Sequence, residues 1–410
     1  MQDSSIARET GASSAGRSRE FELLLCCARA AFGTDETASI AELVTDGIDW
    51  DALIPDAQAH GVLPLLSRAK LPEGAVPSAA AMRLEALFQS HARRSLFLTT
   101  ELLHILQVLK ENGISAIPIK GPSLAMLAYG DIALRQYTDL DILLQHGDME
   151  KALAALTKDR YELRPALTAE QLQYELRSEF QHHLELFGAR GGVQIELHWR
   201  FMPDRFFFTP DLDPIWNRQV QQSLAGSTVN SLSVEDLMIF LCVHGRKHHW
   251  SQLSWIADLA GLVRNTTIDW PLLLRCAKDT AAKRRVLLGF GLAKHLLRTP
   301  LPEIMEREMR RDRSLNQLIP RFENTLFSRQ LPGPARLGPY RHALETSDGS
   351  SHRATILYAF VRKIFRLNAE DYAWVRLPKP LFFLYHVLHP VRLLVAAMSR
   401  AWTERGQRSG

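Results

Sequence analysis

Two aspartates separated by a single residue carry the plainest chemistry in this sequence. In the stretch from Tyr137 to Leu144, Asp139 and Asp141 alternate with apolar Leu140 and Ile142. Alternation of this kind marks a strand and puts both carboxylates on one face. Like charges so close repel unless a cation lies between them, and paired carboxylates with open positions suit Mg2+ in phosphoryl chemistry. A plain polar strand face is the other reading. A third acid is wanted on a neighbouring strand. Val193 to Trp199 offers Glu196, opposite Val193, Ile195 and Leu197, while His183 to Phe187 offers Glu185 in the same alternating setting. Glu196 is the better candidate and Glu185 its competitor, a choice that geometry must make.

Upstream, the segment from Ile117 to Ser123 places Lys120 and Gly121 where a strand ends and a helix begins. Unpaired N–H groups and the helix dipole favour phosphate at such a junction, Gly121 allows close approach, and Lys120 adds positive charge. A turn with a solvated lysine fits the same residues. Downstream, His244 and His248 stand four apart and share one helix face. Zinc ligation, a polar wall of the substrate cleft and a packed structural pair are three readings of them, and no Cys, Asp or Glu at ligand spacing completes the first. Arg246 and Lys247 meet phosphates or are solvated; Asp258 holds a histidine, caps a helix or lies exposed.

These residues need elements to position them. Apolar residues recur at three- and four-residue spacing through Phe21 to Phe32 and Met82 to Leu109, so residues 21–112 read as a helical front region that stops at Asn112 and Gly113. Residues 113–215 change period: a strand at Ile117 to Ile119, a helix from Ser123 to Tyr129, a strand at Leu140 to Leu144 and a helix starting near Asp148. Strands at His183 to Phe187 and Val193 to Leu197 form a hairpin around Gly188, Gly191 and Gly192. Residues 216–330 return to helix, through Val234 to His249, Leu253 to Val263, Trp270 to Ala277 and Ala281 to Leu297. Ile48-Asp49-Trp50 and Ile268-Asp269-Trp270 each open a helix of similar pattern, by duplication or by chance.

Composition bounds the partners. The chain has 410 residues, 46% of them hydrophobic, with 49 basic against 45 acidic side chains. An excess of +4 is too small for a long nucleic-acid track, so nucleic acid is not the expected partner. Cys26, Cys27, Cys242 and Cys276 show neither zinc-site spacing nor disulfide density, which makes a reducing cytoplasm the simplest compartment. Residues 1–20 lack the apolar stretch of a signal peptide and are expected to be a disordered tail. Leu381 to Met398 is apolar but broken by His386, His389, Pro390 and Arg392. It fits a core helix pair better than a span, and basic residues throughout 331–410 keep peripheral membrane contact open.

Lys120-Gly121, Tyr129, Arg135, Asp139, Asp141 and Glu196-Leu-His-Trp199 together resemble the signature of a bacterial nucleotidyltransferase family, long described as uncharacterised and placed in the DNA polymerase β superfamily. His244-Gly245, His248, Trp250, Leu253, Trp255 and Asp258 are similar to the helical signature that follows the core in that family, and the resemblance covers roughly residues 20–300. It implies an α+β fold: a small mixed sheet with helices, flanked by N-terminal and C-terminal helical regions. It also implies that Asp139, Asp141 and Glu196 hold two Mg2+ ions, or Mn2+ in their place, across a nucleoside triphosphate. On this reading Lys120, Gly121, Ser123, Arg135, His198, His244 and His248 face the nucleotide, with Arg135 as a phosphate clamp. Members of the superfamily usually open the first helix with Gly-Ser, whereas this chain has Lys120-Gly121-Pro122-Ser123, where Ser123 caps the helix or touches a phosphate.

The activity implied is transfer of a nucleoside monophosphate to a hydroxyl of a small molecule, saccharide or peptide, with release of pyrophosphate. A catalytically inactive nucleotide-binding or regulatory protein is the competing class, although a dead site has no physical need to keep mutually repelling carboxylates. An RNA-directed transferase is a third, resting on the basic C-terminal segment and its aromatics Phe360, Phe365, Tyr372 and Trp374.

Overall fold

The computed structural model describes residues 17–178, 181–189, 191–203, 208, 210–327, 343–364 and 384. The chain divides into one unit at Met1–Ala335 and a second at Arg336–Gly410.

The first unit opens with five helices, α1 (Arg19–Ala31), α2 (Thr37–Thr45), α3 (Trp50–Ala59), α4 (Leu63–Ser67) and α5 (Ser78–Glu111). Arg19 and Glu20, expected in the tail, already belong to α1, because Ser18 caps it by accepting from the Phe21 N–H and Glu20 and Glu22 complement the dipole. The long α5 stops where the sequence indicates, with Asn112 at its end and Gly113 at a φ of 66°.

A five-stranded sheet follows, built from β1 (Ala116–Pro118), β2 (Asp139–Leu144), β3 (Tyr161–Leu163), β4 (His183–Gly188) and β5 (Gln194–His198) in the order β1-β2-β5-β4-β3. Only the β2–β5 pair is parallel, so the sheet is mixed. Between β1 and β2 lies α6 (Gly121–Tyr129); α7 (Met149–Lys158) and α8 (Ala169–Arg177) follow. The α+β fold, a small mixed sheet flanked by helices, is thus the one the sequence indicates. One face carries Leu140, Ile142, Leu186, Ile195 and Leu197, which pack with Leu102, Ile105 and Leu109 of α5 and Ala152 and Leu156 of α7 in a dry core. The opposite face carries the acids.

Past α9 (Asp213–Asn217), a hairpin of β6 (Val220–Leu224) and β7 (Ser227–Ser231) stands in a stretch expected to be helical. Its two-residue turn uses Ala225 and Gly226 at positive φ, which suits a tight hairpin. Few apolar residues alternate here, so the period-two signal is faint. The unit closes with α10 (Val234–Lys247), α11 (Leu253–Asn265), α12 (Trp270–Asp279), α13 (Lys283–Leu297), α14 (Glu303–Arg311) and α15 (Leu315–Phe327). Leu23 and Leu53 from the front helices share one core cluster with Leu259, Leu288 and Phe322 from these, and Arg29 of α1 donates to the Leu296 carbonyl of α13 at 2.8 Å.

The Ile-Asp-Trp echo extends into the backbone. Asp49 and Asp269 each cap the helix that follows, and the bonds Val62 N–H to Ala57 O (2.9 Å) and Ala282 N–H to Ala277 O (2.7 Å) close the two helices at the same offset.

In the second unit, α16 spans Gly349–Ile364. The apolar stretch at residues 381–398 and most of the basic C-terminal segment lie outside the described residues. Among the described residues no helix is long and apolar enough to cross a membrane.

Candidate active site

Register brings the acids together. Across the parallel β2–β5 pair Asp141 stands beside Glu196, and across β5–β4 Glu196 stands beside Glu185. Glu196 therefore adjoins the aspartate pair, while Glu185 lies one strand further out. His198 follows Glu196 on the same face, with His183 as its neighbour in β4.

The polar atoms converge on Asp141. Lys120 Nζ lies 3.0 Å from Asp141 Oδ1, and His198 Nε2 lies 3.2 Å from that oxygen and 3.1 Å from Glu196 Oε2. Burial opposes the charge on Asp141, but Lys120 and His198 outweigh it and hold its carboxyl well below the usual range. Asp139 goes the other way: burial and the neighbouring Asp141 push it up, and Lys120 offsets this only in part. Lys120 is disfavoured as a cation by burial yet held above its ordinary value by Asp141 and Asp139. His198 is likewise raised, because its bonds to Asp141 and Glu196 overcome desolvation. Asp141 Oδ2 is buried without a hydrogen-bond partner. A hard dication would satisfy such an orphan oxygen, and the carboxylates of Asp141 and Glu196 suit one, whereas Asp139 belongs to none of the close ligand groups among the described residues. Asp141, Glu196 and His198 each present a ligand atom within 4.8 Å of the others.

The junction at Lys120 and Gly121 is as the sequence indicates. Gly121 has a φ of 58°, a left-handed conformation that favours glycine, and a Cβ there would lie 3.7 Å from the Asp139 carbonyl. Ser123 does not cap α6, whose N-cap is Lys120. Ser123 is buried, donates to Gln222 Oε1 at 2.6 Å and accepts, through its carbonyl, the Gln222 amide at 2.9 Å, which ties β6 to α6.

Arg135 also departs from its expected place as a phosphate clamp. Its guanidinium is buried and forks onto Asp258, Nε to Oδ1 at 2.9 Å and Nη2 to Oδ2 at 3.1 Å. Tyr129 donates to the same carboxylate at 2.9 Å. Asp258 is fully buried and holds an arginine and a tyrosine where a histidine was one expectation. The network fastens α11 to α6, and Gly261 lets the helices touch: a Cβ there would come within 2.3 Å of the Ala128 carbonyl, which also accepts from Asn265 at 2.7 Å. Tyr129, Arg135 and Asp258 thereby seat the helix whose first residues frame the acids.

The His244 and His248 rings pack at a tilt of 46° with centroids 4.7 Å apart, and both rings meet Trp255. Burial and then the charge on Lys120 drive His244 well below the ordinary histidine range. Burial and Lys247 bring His248 down to about 4, with Lys120 contributing. Asp141 acts in the opposite sense on His244, and Glu196 on His248. Among the described residues the pair belongs to no metal-ligating group. Gly245 is explained by packing, since a Cβ on it would strike the Trp250 ring at 2.6 Å.

His182 was not among the expected site residues, because adjacent histidines carry no periodic signal.

Residues 46–298 match the profile of a family described as uncharacterised nucleotidyltransferase. No curated protein matches. Among solved structures, an antigenic nucleotidyltransferase-like protein from Paracoccidioides brasiliensis is similar at 14% identity, covering 50% of this chain and 93% of that one, with a TM-score of 0.29.

Proposed function

Since the chain belongs to the uncharacterised nucleotidyltransferase family, we propose that it transfers a nucleoside monophosphate from a nucleoside triphosphate to a hydroxyl of a small molecule, saccharide or peptide, in the manner of polymerase β-like enzymes. The observation that carries this reading is the adjacency of Asp141 and Glu196 across β2 and β5, with Asp139 on the same face. Lys120 and His198 offset part of the repulsion among the three carboxylates, and a divalent cation would offset what still raises Asp139.

Asp139, Asp141 and Glu196 would hold Mg2+ or Mn2+, which would neutralise triphosphate charge and make the acceptor hydroxyl easier to deprotonate. His198 fixes the carboxylates of Asp141 and Glu196 relative to each other through one nitrogen. Lys120 supplies a cation beside them, and the first N–H groups of α6 offer donors for phosphate oxygens. The acceptor oxygen attacks the α-phosphorus in line, a new P–O bond forms as the bond to the β-phosphate oxygen breaks, pyrophosphate leaves, and the hydroxyl proton passes to solvent. His244, His248 and Trp255 form an imidazole–indole wall with the extent and polarity to border a nucleotide.

Release of pyrophosphate from each nucleoside triphosphate, in the presence of Mg2+ and a cell extract as acceptor pool, tests the reading. It is expected in wild type and lost in the Asp139→Ala, Asp141→Ala double variant. Equal release from both proteins would refute it.

A further inference from the structure

Beside the carboxylates lies a second cluster of different chemistry. His182, His183 and His198 each present a ring nitrogen within 4.8 Å of the other two, and His183 forms a further group of that size with Glu185 and Glu196. The ring centroids are 4.3 Å apart for His182 and His183, 5.1 Å for His183 and His198, and 5.5 Å for His182 and His198. His182 and His198 are buried, and His183 is shielded on most of its surface. The other ring nitrogen of His183 faces acids: Nε2 lies 3.5 Å from Glu185 Oε1 and 4.0 Å from Glu196 Oε2.

We propose that His182, His183 and His198 bind one transition-metal dication of the Zn2+ class, with the fourth position left to water. Imidazole nitrogens suit zinc and its neighbours, whereas Mg2+ takes oxygen. A tetrahedral zinc ion with bonds of about 2.0–2.1 Å holds its ligand atoms about 3.3 Å apart. His183 Nδ1 lies 3.2 Å from His182 Nε2, a span of that size. That contact is a ring N–H···N hydrogen bond as it stands, and a bound metal would take the place of its proton. His198 also has a nitrogen to spare: Nε2 is engaged by Asp141 and Glu196, while Nδ1 is buried without a hydrogen-bond partner. This site is distinct from the magnesium site in ligand type and excludes Asp139.

The test uses the full chain, stripped with a chelator and titrated with Zn2+ against a chromophoric competitor. Wild type should take up a single equivalent. His182→Ala and His183→Gln should each weaken Zn2+ binding by about tenfold or more, the scale of a loss at or around a metal's ligands. Asp139→Ala should still bind an equivalent. Far-UV circular dichroism of the stripped variants checks that they are folded. Co2+ gives a reading on wild type alone, since a tetrahedral nitrogen site produces visible d–d bands that excess Zn2+ removes. Absence of competitive uptake and of Co2+ bands in wild type, or unchanged affinity in folded His182 and His183 variants, would overturn the site whether or not the protein transfers nucleotides.

Discussion

Replacing Asp258 by alanine should unfold the protein far more readily, and the size of the effect can be worked from the contacts. Asp258 and Arg135 have side-chain exposures of 0% and 7%, so neither charge is solvated, and the fork between them is bidentate. Removing one partner of a buried pair costs about 3–5 kcal/mol, because the other charge is left uncompensated. Tyr129 loses its acceptor as well, which adds about 1 kcal/mol. Against a total stability of about 5–15 kcal/mol this is a large fraction. Urea unfolding followed by tryptophan fluorescence should show a much lower midpoint for Asp258→Ala and an intermediate one for Asp258→Asn, which keeps a partner for Tyr129. Loss of less than about 1 kcal/mol would contradict the buried-pair argument. Loss of nucleotide affinity at unchanged stability would return Arg135 to the phosphates.

Gly261→Ala should cost at least the roughly 1–3 kcal/mol of an overpacked contact, since its Cβ would meet the Ala128 carbonyl at 2.3 Å; an unchanged thermal midpoint would disprove that the helices touch there. His248, lowered from 6.5 to about 4 by burial and Lys247, should favour the folded state above pH 6.5. This stabilisation should be lost as pH falls toward 4, because the unfolded chain binds the extra proton across that window. Imidazole signals followed by NMR should show a neutral His248 at pH 5, and a midpoint near 6.5 would contradict it. Lys120→Met removes the cation beside Asp141, so the metal-free variant should melt lower than wild type and gain more from Mg2+; equal Mg2+ shifts in the two proteins would count against a cation site at the acids.

Strand alternation made Asp139, Asp141 and Glu196 legible because facing is a local property, readable from neighbours two residues away. Which third acid adjoins the pair was not local: both glutamates alternate properly, and only the β2–β5 register separates them. Arg135 and Ser123 show the same limit. Each has a type and position suited to phosphate, yet Asp258 and Gln222, distant in sequence, arrive to take their polar atoms. The β6–β7 hairpin escaped because its alternation is largely polar, so pairing and not periodicity defines it. Glycine at 121 was readable from the strand-to-helix junction, whereas Gly261 gains its role only when α11 meets α6.

The most direct test of nucleotidyl transfer compares triphosphates labelled on the α- and γ-phosphorus, with wild type, Mg2+ and extract acceptors. The account predicts that α-label enters the acceptor, that γ-label appears only in pyrophosphate, and that both movements vanish in the Asp139→Ala, Asp141→Ala variant. Appearance of γ-label on the acceptor would make the protein a phosphoryl transferase and contradict the central claim.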